Sequence, residues 1–151
     1  MQTHPARKPS AAFVGASWFA LVLGMGAFLV GLWNAQMLLS EKGYYLTLLL
    51  YGLFAAISVQ KSVRDRLDGV PVTALYHGLA WFAVVSALLL LFVGLWNAQL
   101  VPSEKGFYGM AYALSLFAAI AVQKNTRDSL AVDGAGTDGY PRVAAASELR
   151  E

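Results

Sequence analysis

Four long apolar stretches, separated by brief polar punctuation, organise the chain: residues 13–35, 44–60, 75–98 and 107–123. A helix needs about 20 mostly apolar residues to cross the hydrocarbon core of a bilayer. The first and third stretches meet that length outright. The second and fourth are shorter and are completed by the tyrosines and glutamines at their ends. Ser40-Glu41-Lys42-Gly43 joins the first pair and Ser103-Glu104-Lys105-Gly106 the second. Links this short predict antiparallel helices that are neighbours in space.

The same pattern occurs twice. Gly31-Leu-Trp-Asn-Ala-Gln36 returns as Gly94-Leu-Trp-Asn-Ala-Gln99, an offset of 63 residues. Phe54-Ala-Ala-Ile-x-Val-Gln-Lys-x-x-Arg-Asp65 returns at the same offset as Phe117 to Asp128, and Trp18 as Trp81. The register holds without a gap, so the chain is a tandem duplication of one helix hairpin. Each copy has an even number of spans, and both enter the membrane in the same sense. That predicts a parallel repeat about an axis along the membrane normal. The boundaries read as a leader over 1–10, a first repeat over 11–66, a linker over 67–73, a second repeat over 74–129 and a tail over 130–151. Glycine and small polar residues dominate the tail, which is expected to be disordered.

Composition sharpens this picture. Hydrophobic residues make up 58% of the 151 and charged residues 13%, about half the charged share of a soluble domain. Mean hydropathy is +0.54. The first apolar run is too long for a secretory h-region and reads as an uncleaved anchor. Arg7, Lys8, Lys61, Arg64, Arg66, Lys124 and Arg127 fall on one side of the spans, and only Lys42 and Lys105 on the other. The positive-inside rule therefore places both termini and the linker in the cytoplasm. A net charge of +2 without a basic stripe gives no reason to expect a nucleic-acid partner, and the absence of cysteine excludes disulfides and thiolate chemistry.

The chain resembles the YiaA/YiaB two-helix family of bacterial inner-membrane proteins. The residues that carry the likeness are Trp18 and Trp81, the two Gly-Leu-Trp-Asn-Ala segments, and Glu-Lys-Gly-Tyr/Phe-Tyr at 41–45 and 104–108. Gln-Lys-x-x-Arg-Asp at 60–65 and 123–128 completes the set. The resemblance implies a bacterial inner-membrane location and a duplicated two-helix domain, and it brings no catalytic or ligand-binding residues with it.

Three groups of positions are candidates for function. Small residues recur every seven positions in the first span of each copy: Ser17, Gly24, Gly31 and Ala80, Ala87, Gly94. Shorter spacings recur in the second spans, at Gly52 and Ala56 and at Ala111, Ser115 and Ala119. Such stripes let helices approach closely in lipid, and packing is favoured over a substrate path. A second group, Asn34, Gln36, Glu41 and Lys42 with Asn97, Gln99, Glu104 and Lys105, lies at the outer ends. It reads first as helix termination and otherwise as a polar mouth. The third, Gln60, Lys61, Arg64 and Asp65 with Gln123, Lys124, Arg127 and Asp128, lies at the inner ends. Headgroup anchoring is the simpler account; Lys61–Asp65 and Lys124–Asp128 pairs within each helix, with a specific inner network or a partner site, form the sharper one.

The first, second and fourth stretches carry no ionisable Asp, Glu, Lys, Arg or His, and the third has only His77 near its start. Proton relays and ion-coupled transporters place such groups at membrane depth. His77 is read as an interfacial side chain, and His4 lies in the leader. No enzyme, metal or cofactor is expected. The sequence thus predicts an inner-membrane protein acting by helix packing, as an accessory, scaffold or envelope-stress component. The alternative is a small transporter or channel between repeats or protomers. The expected partners are the lipid bilayer, a homo-oligomer or another membrane protein.

Overall fold

The computed structural model describes residues 9–137. They form four α-helices: α1 (Ala11–Asn34), α2 (Leu39–Leu67), α3 (Ala74–Asn97) and α4 (Pro102–Thr137). All four are long and apolar enough to cross a membrane. The protein is an all-α, polytopic membrane protein made of two tandem hairpin repeats. The α1–α2 and α3–α4 turns lie at one end of the bundle, the link end. The α2–α3 linker lies at the other, the basic end.

The helix boundaries follow from local chemistry that repeats with the sequence. Ser10 and Thr73, 63 positions apart, accept hydrogen bonds from the N–H groups of Phe13 and Tyr76, both at 3.3 Å. Each thereby satisfies a donor that a helix start leaves open. The polar links sit differently from the sequence expectation. Ser40-Glu41-Lys42-Gly43 and Ser103-Glu104-Lys105-Gly106 form the first turns of α2 and α4, and the turns themselves are residues 35–38 and 98–101. The reason is that Glu41 accepts from the Leu38 N–H at 2.8 Å and Glu104 from the Val101 N–H at 3.1 Å. An acid in the third helical position reaching back in this way starts the helix earlier. Pro102 takes the first position of α4, where no backbone N–H is needed.

The end of α2 is a Schellman turn. Val70 N–H bonds Asp65 C=O at 2.8 Å and Gly69 N–H bonds Arg66 C=O at 3.3 Å. Gly69 sits at φ +74, a left-handed conformation that glycine adopts without penalty. At the other repeat no such stop occurs. Residues 130–137, assigned above to a disordered tail, continue α4. An established helix adds residues cheaply once nucleated. Residues 1–8 of the leader, with Arg7 and Lys8, and 138–151 of the tail lie outside the described residues.

Each hairpin is antiparallel, but its two helices are not close neighbours. α1 packs chiefly on α4 and α2 on α3, α2 and α4 meet along the centre, and the helices within one hairpin scarcely touch. The repeats are therefore intertwined. The short link permits this because it is extended: Ala35 has φ −63, ψ 141 and Leu38 has φ −62, ψ 151. Four extended residues reach about 13 Å, further than the 8–10 Å between packed helices.

The stripes of small residues make these cross-repeat contacts. A Cβ at Gly24 of α1 would lie 2.8 Å from Ser115 Oγ and 3.2 Å from the Ala111 carbonyl of α4. One at Gly31 would lie 2.8 Å from Phe107, and one at Gly94 of α3 the same distance from Tyr44 of α2. Ser17, Ala80 and Ala87 are buried along the same faces. With so little side chain between them the backbones come close, which is how helices gain contact energy in lipid.

Along the central axis lie repeat-related residues. Tyr45 and Tyr108 stack with centroids 6.3 Å apart and an interplanar angle of 17°. Phe28 meets Tyr108 edge-on at 5.5 Å. Next along the axis, the Tyr112 ring fills the space that a side chain at Gly52 would need. Its hydroxyl donates to the Leu48 carbonyl at 3.1 Å. Leu49 and Tyr112 are fully buried here.

Candidate functional site

At the link end the predicted polar residues are mostly engaged in finishing helices. Asn34 Nδ2 donates to the Val30 carbonyl and Asn97 Nδ2 to the Val93 carbonyl, each at 2.8 Å. Lys42 Nζ donates to the Trp33 carbonyl at 2.7 Å, and Lys105 Nζ to the Trp96 carbonyl at 3.0 Å. A cation on the last carbonyls of a helix also complements its dipole. Glu41 and Glu104 hold the next helix starts, as described. An open depression of about 700 Å³ brings Asn34, Gln36, Glu41 and Lys42 together with Gln99 of the other repeat over Tyr45. Asn97 and Glu104 do not join it; they border separate, smaller hollows.

The basic end holds a specific charge network, but not the one that helix spacing suggested. Arg64 of α2 donates to Asp128 of α4 at 2.9 Å. Arg127 of α4 pairs with Asp65 at 3.6 Å and Asp68 at 3.1 Å. Arg64 also lies 3.7 Å from Asp68. The arginine of each repeat thus reaches the aspartate of the other. The expected Lys61–Asp65 and Lys124–Asp128 pairs are absent among the described residues. Arginine's planar fork suits two acceptors better than a lysine does, and α2 and α4 face each other here. Lys61 and Lys124 point elsewhere and remain exposed.

Just inside this network, one buried and one part-buried polar contact tie the outer helices to the central ones. Asn125 Nδ2 donates to Ser17 Oγ at 3.1 Å, joining α4 to α1. Ser62 Oγ lies 3.1 Å from His77 Nδ1, joining α2 to α3. The Ser62 hydroxyl already donates to the Val59 carbonyl at 2.9 Å, so the geometry favours His77 as the donor through Nδ1–H. His77 is therefore a helix-to-helix contact and not simply an interfacial side chain. Ser62 and Asn125 occupy the same repeat position, one of the unconstrained places in Gln-Lys-x-x-Arg-Asp. A polar residue there in both copies was the available signal. Gln123 Oε1 is buried without a hydrogen-bond partner, whereas its counterpart Gln60 borders a groove on the bundle's flank.

Four spans, two polar ends and a packed aromatic centre define a multi-pass membrane protein made of paired two-helix units. Its sequence matches the yiaA/B two helix domain twice, over residues 13–65 and 76–128. The chain belongs to that family. It is 55% identical over 120 residues to the inner membrane protein YiaA of Escherichia coli strain K12, covering 80% of this chain and 83% of the relative. The inner membrane protein YiaB of the same strain is 31% identical over 99 residues, covering 64% and 81%. An uncharacterized membrane protein of Bacillus subtilis strain 168, YubF, is 35% identical over 69 residues, covering 45% of this chain and 79% of the relative. No solved structure matches the chain. The protein is accordingly a multi-pass inner-membrane protein.

Proposed function

We propose that this protein is a non-enzymatic scaffold or accessory component of the inner membrane, of a kind that an envelope-stress response would use. The supporting observation is the filled central axis. Tyr45, Tyr108, Leu49, Tyr112 and Phe28 occupy the line along which a path between the repeats would run. The crossed Arg64–Asp128 and Arg127–Asp65 pairs close its basic end. At the link end, Asn34, Lys42, Asn97 and Lys105 are spent on helix carbonyls. What the bundle offers its surroundings is its outer surface, where Phe19, Val22, Phe54, Phe82, Met110 and Phe117 are exposed. That surface suits lipid, a second copy or another membrane protein.

In this reading the basic end faces the cytoplasm. Among the described residues Lys61, Arg64, Arg66, Lys124 and Arg127 lie there and only Lys42 and Lys105 at the link end, the asymmetry that sets orientation. The test is reconstitution of the purified full-length chain in liposomes. Ion and small-solute flux at the level of empty vesicles is expected. Flux that disappears in Asn34→Ala/Asn97→Ala without loss of the folded bundle would replace the scaffold with the transporter. Labelling of cysteines placed at the link end and in the linker of intact cells reads the orientation directly.

A further inference from the structure

The flank of the bundle near the basic end carries a groove of about 720 Å³ between α2, α3 and α4. Its walls are apolar: Val59, Val63, Trp81, Val84, Leu116 and Ile120. At its basic edge stand the Gln60 amide and the Lys124 ammonium. Neither side chain forms a hydrogen bond or an ion pair among the described residues. Arg64, Asp68 and Asp128 also line this edge, and their charges are already paired: Asp128 with Arg64, and Asp68 with Arg64 and Arg127. The groove therefore presents one uncommitted cation and one uncommitted amide above a wall of hydrocarbon.

We propose that this groove is a phospholipid site. One acyl chain lies against Trp81, Val84, Leu116 and Ile120, and the phosphodiester sits on Lys124 with Gln60 donating beside it. Three physical points carry this. The groove opens on a membrane-spanning surface, so its walls meet lipid tails and not water. Its volume lies within the range of small-molecule sites. A lysine at the end of an apolar helical run stretches its ammonium to the level of the lipid phosphates, where a basic side chain between helices is suited to a lipid headgroup. The two repeats differ at this level. Val63 on this flank corresponds to Thr126, and Gln60 to Gln123 with its buried oxygen. The proposal names the lipid that the scaffold would hold. It rests on lipid contact and not on the lack of transport, so a positive flux result would leave it standing.

The test uses the full-length protein with Trp18, Trp33 and Trp96 changed to Phe, leaving Trp81 as its only tryptophan. A sister variant keeps Trp18 alone. Each is reconstituted in mixed vesicles of phosphatidylcholine with brominated phosphatidylglycerol, brominated phosphatidylethanolamine or brominated diacylglycerol, and bromine quenching reports the lipid at each ring. Both phospholipids should quench Trp81 in preference to the phosphate-free diacylglycerol, and Trp18 should show no such preference. Lys124→Ala should reduce the Trp81 preference about fivefold, the equivalent of about 1 kcal/mol for one basic side chain at a lipid surface. Lys61→Ala should leave it unchanged, and Lys124→Arg should retain it. Soluble glycerophosphate should not compete. Equal preference at Trp81 and Trp18, insensitivity to Lys124→Ala, or displacement by glycerophosphate would each overturn the site.

Discussion

The guanidinium of Arg64 donates to the carboxylate of Asp128 at 2.9 Å, while Arg127 reaches back to Asp65 at 3.6 Å. The two pairs are images of one another: Arg127 repeats Arg64 and Asp128 repeats Asp65, each 63 residues further along the chain. Neighbouring positions in one repeat thus exchange their charges with the same positions in the next. This is the contact pattern of a twofold dimer, here within a single polypeptide.

That exchange can be measured. Arg64 and Asp128 are 28% and 26% exposed, so the pair is screened and worth about 1 kcal/mol at most. A double-mutant cycle with Arg64→Ala and Asp128→Ala, read by unfolding of the detergent-solubilised protein, should give a coupling of about that size. It should shrink as salt is raised. Full additivity at low salt would mean that the pair contributes nothing.

Gly52 and Tyr112 should behave as one unit. A methyl at residue 52 would run into the Tyr112 ring, so Gly52→Ala is expected to cost about 1–3 kcal/mol, as overpacking does. In the other repeat the corresponding pair is Ser115 and Leu49, a smaller side chain on the same axis. Adding Tyr112→Leu to Gly52→Ala should therefore recover part of the loss, whereas Tyr112→Leu alone destabilises by leaving a cavity. Thermal unfolding of the three variants decides this.

Glycines in one helix should differ sharply. Gly24 touches α4 at van der Waals limits, whereas a Cβ at Gly26 would meet nothing within 4 Å. Gly24→Val should separate α1 from α4 and expose the bundle to proteolysis. Gly26→Val should leave protease resistance near that of the parent. Similar sensitivity in both would remove the small-residue stripe as the reason for close packing.

The absence of native cysteine makes the intertwining directly testable. Ser17→Cys with Asn125→Cys joins positions whose side chains are 3.1 Å apart, and Ser62→Cys with His77→Cys joins another contacting pair. Both pairs should cross-link in membranes. After cleavage at a protease site placed in the 68–73 linker, either cross-link should hold the two halves together on a denaturing gel. Ser17→Cys with Ser62→Cys, within one hairpin, should not form. Efficient formation of that last pair would restore the simple hairpin arrangement.

Much of this architecture was legible in the residues. Hydropathy marked the four spans, the 63-residue offset marked the repeat, and the stripes at Gly24, Gly31 and Gly94 marked the packing faces. Which helix those faces meet was not legible. A stripe of small residues suits any neighbour, and a short link suggests the nearest one unless its extended backbone is known. The pairing within the charge network was not legible for the same reason. Lys61 and Asp65 are close along one helix, but Arg64 meets Asp128 only after α2 and α4 lie side by side. Glu41 and Lys42 looked like a loop because they are charged. Their side chains in fact cap a helix start and a helix end. The candidate lipid groove draws on three helices; Gln60, Arg64, Trp81, Lys124 and Asp128 each stand out in the sequence, but nothing there places them in one groove.

The extended links have a consequence for how the protein is made. When the first two helices have been synthesised, neither has its main partner: the faces around Gly24 and Gly31 await α4, and those of α2 await α3. The first half must therefore persist in the bilayer as an unassembled pair of spans until the second is delivered. α4 completes α1, so a chain truncated before α4 leaves α1 bare and should be recognised by membrane quality control as an orphan.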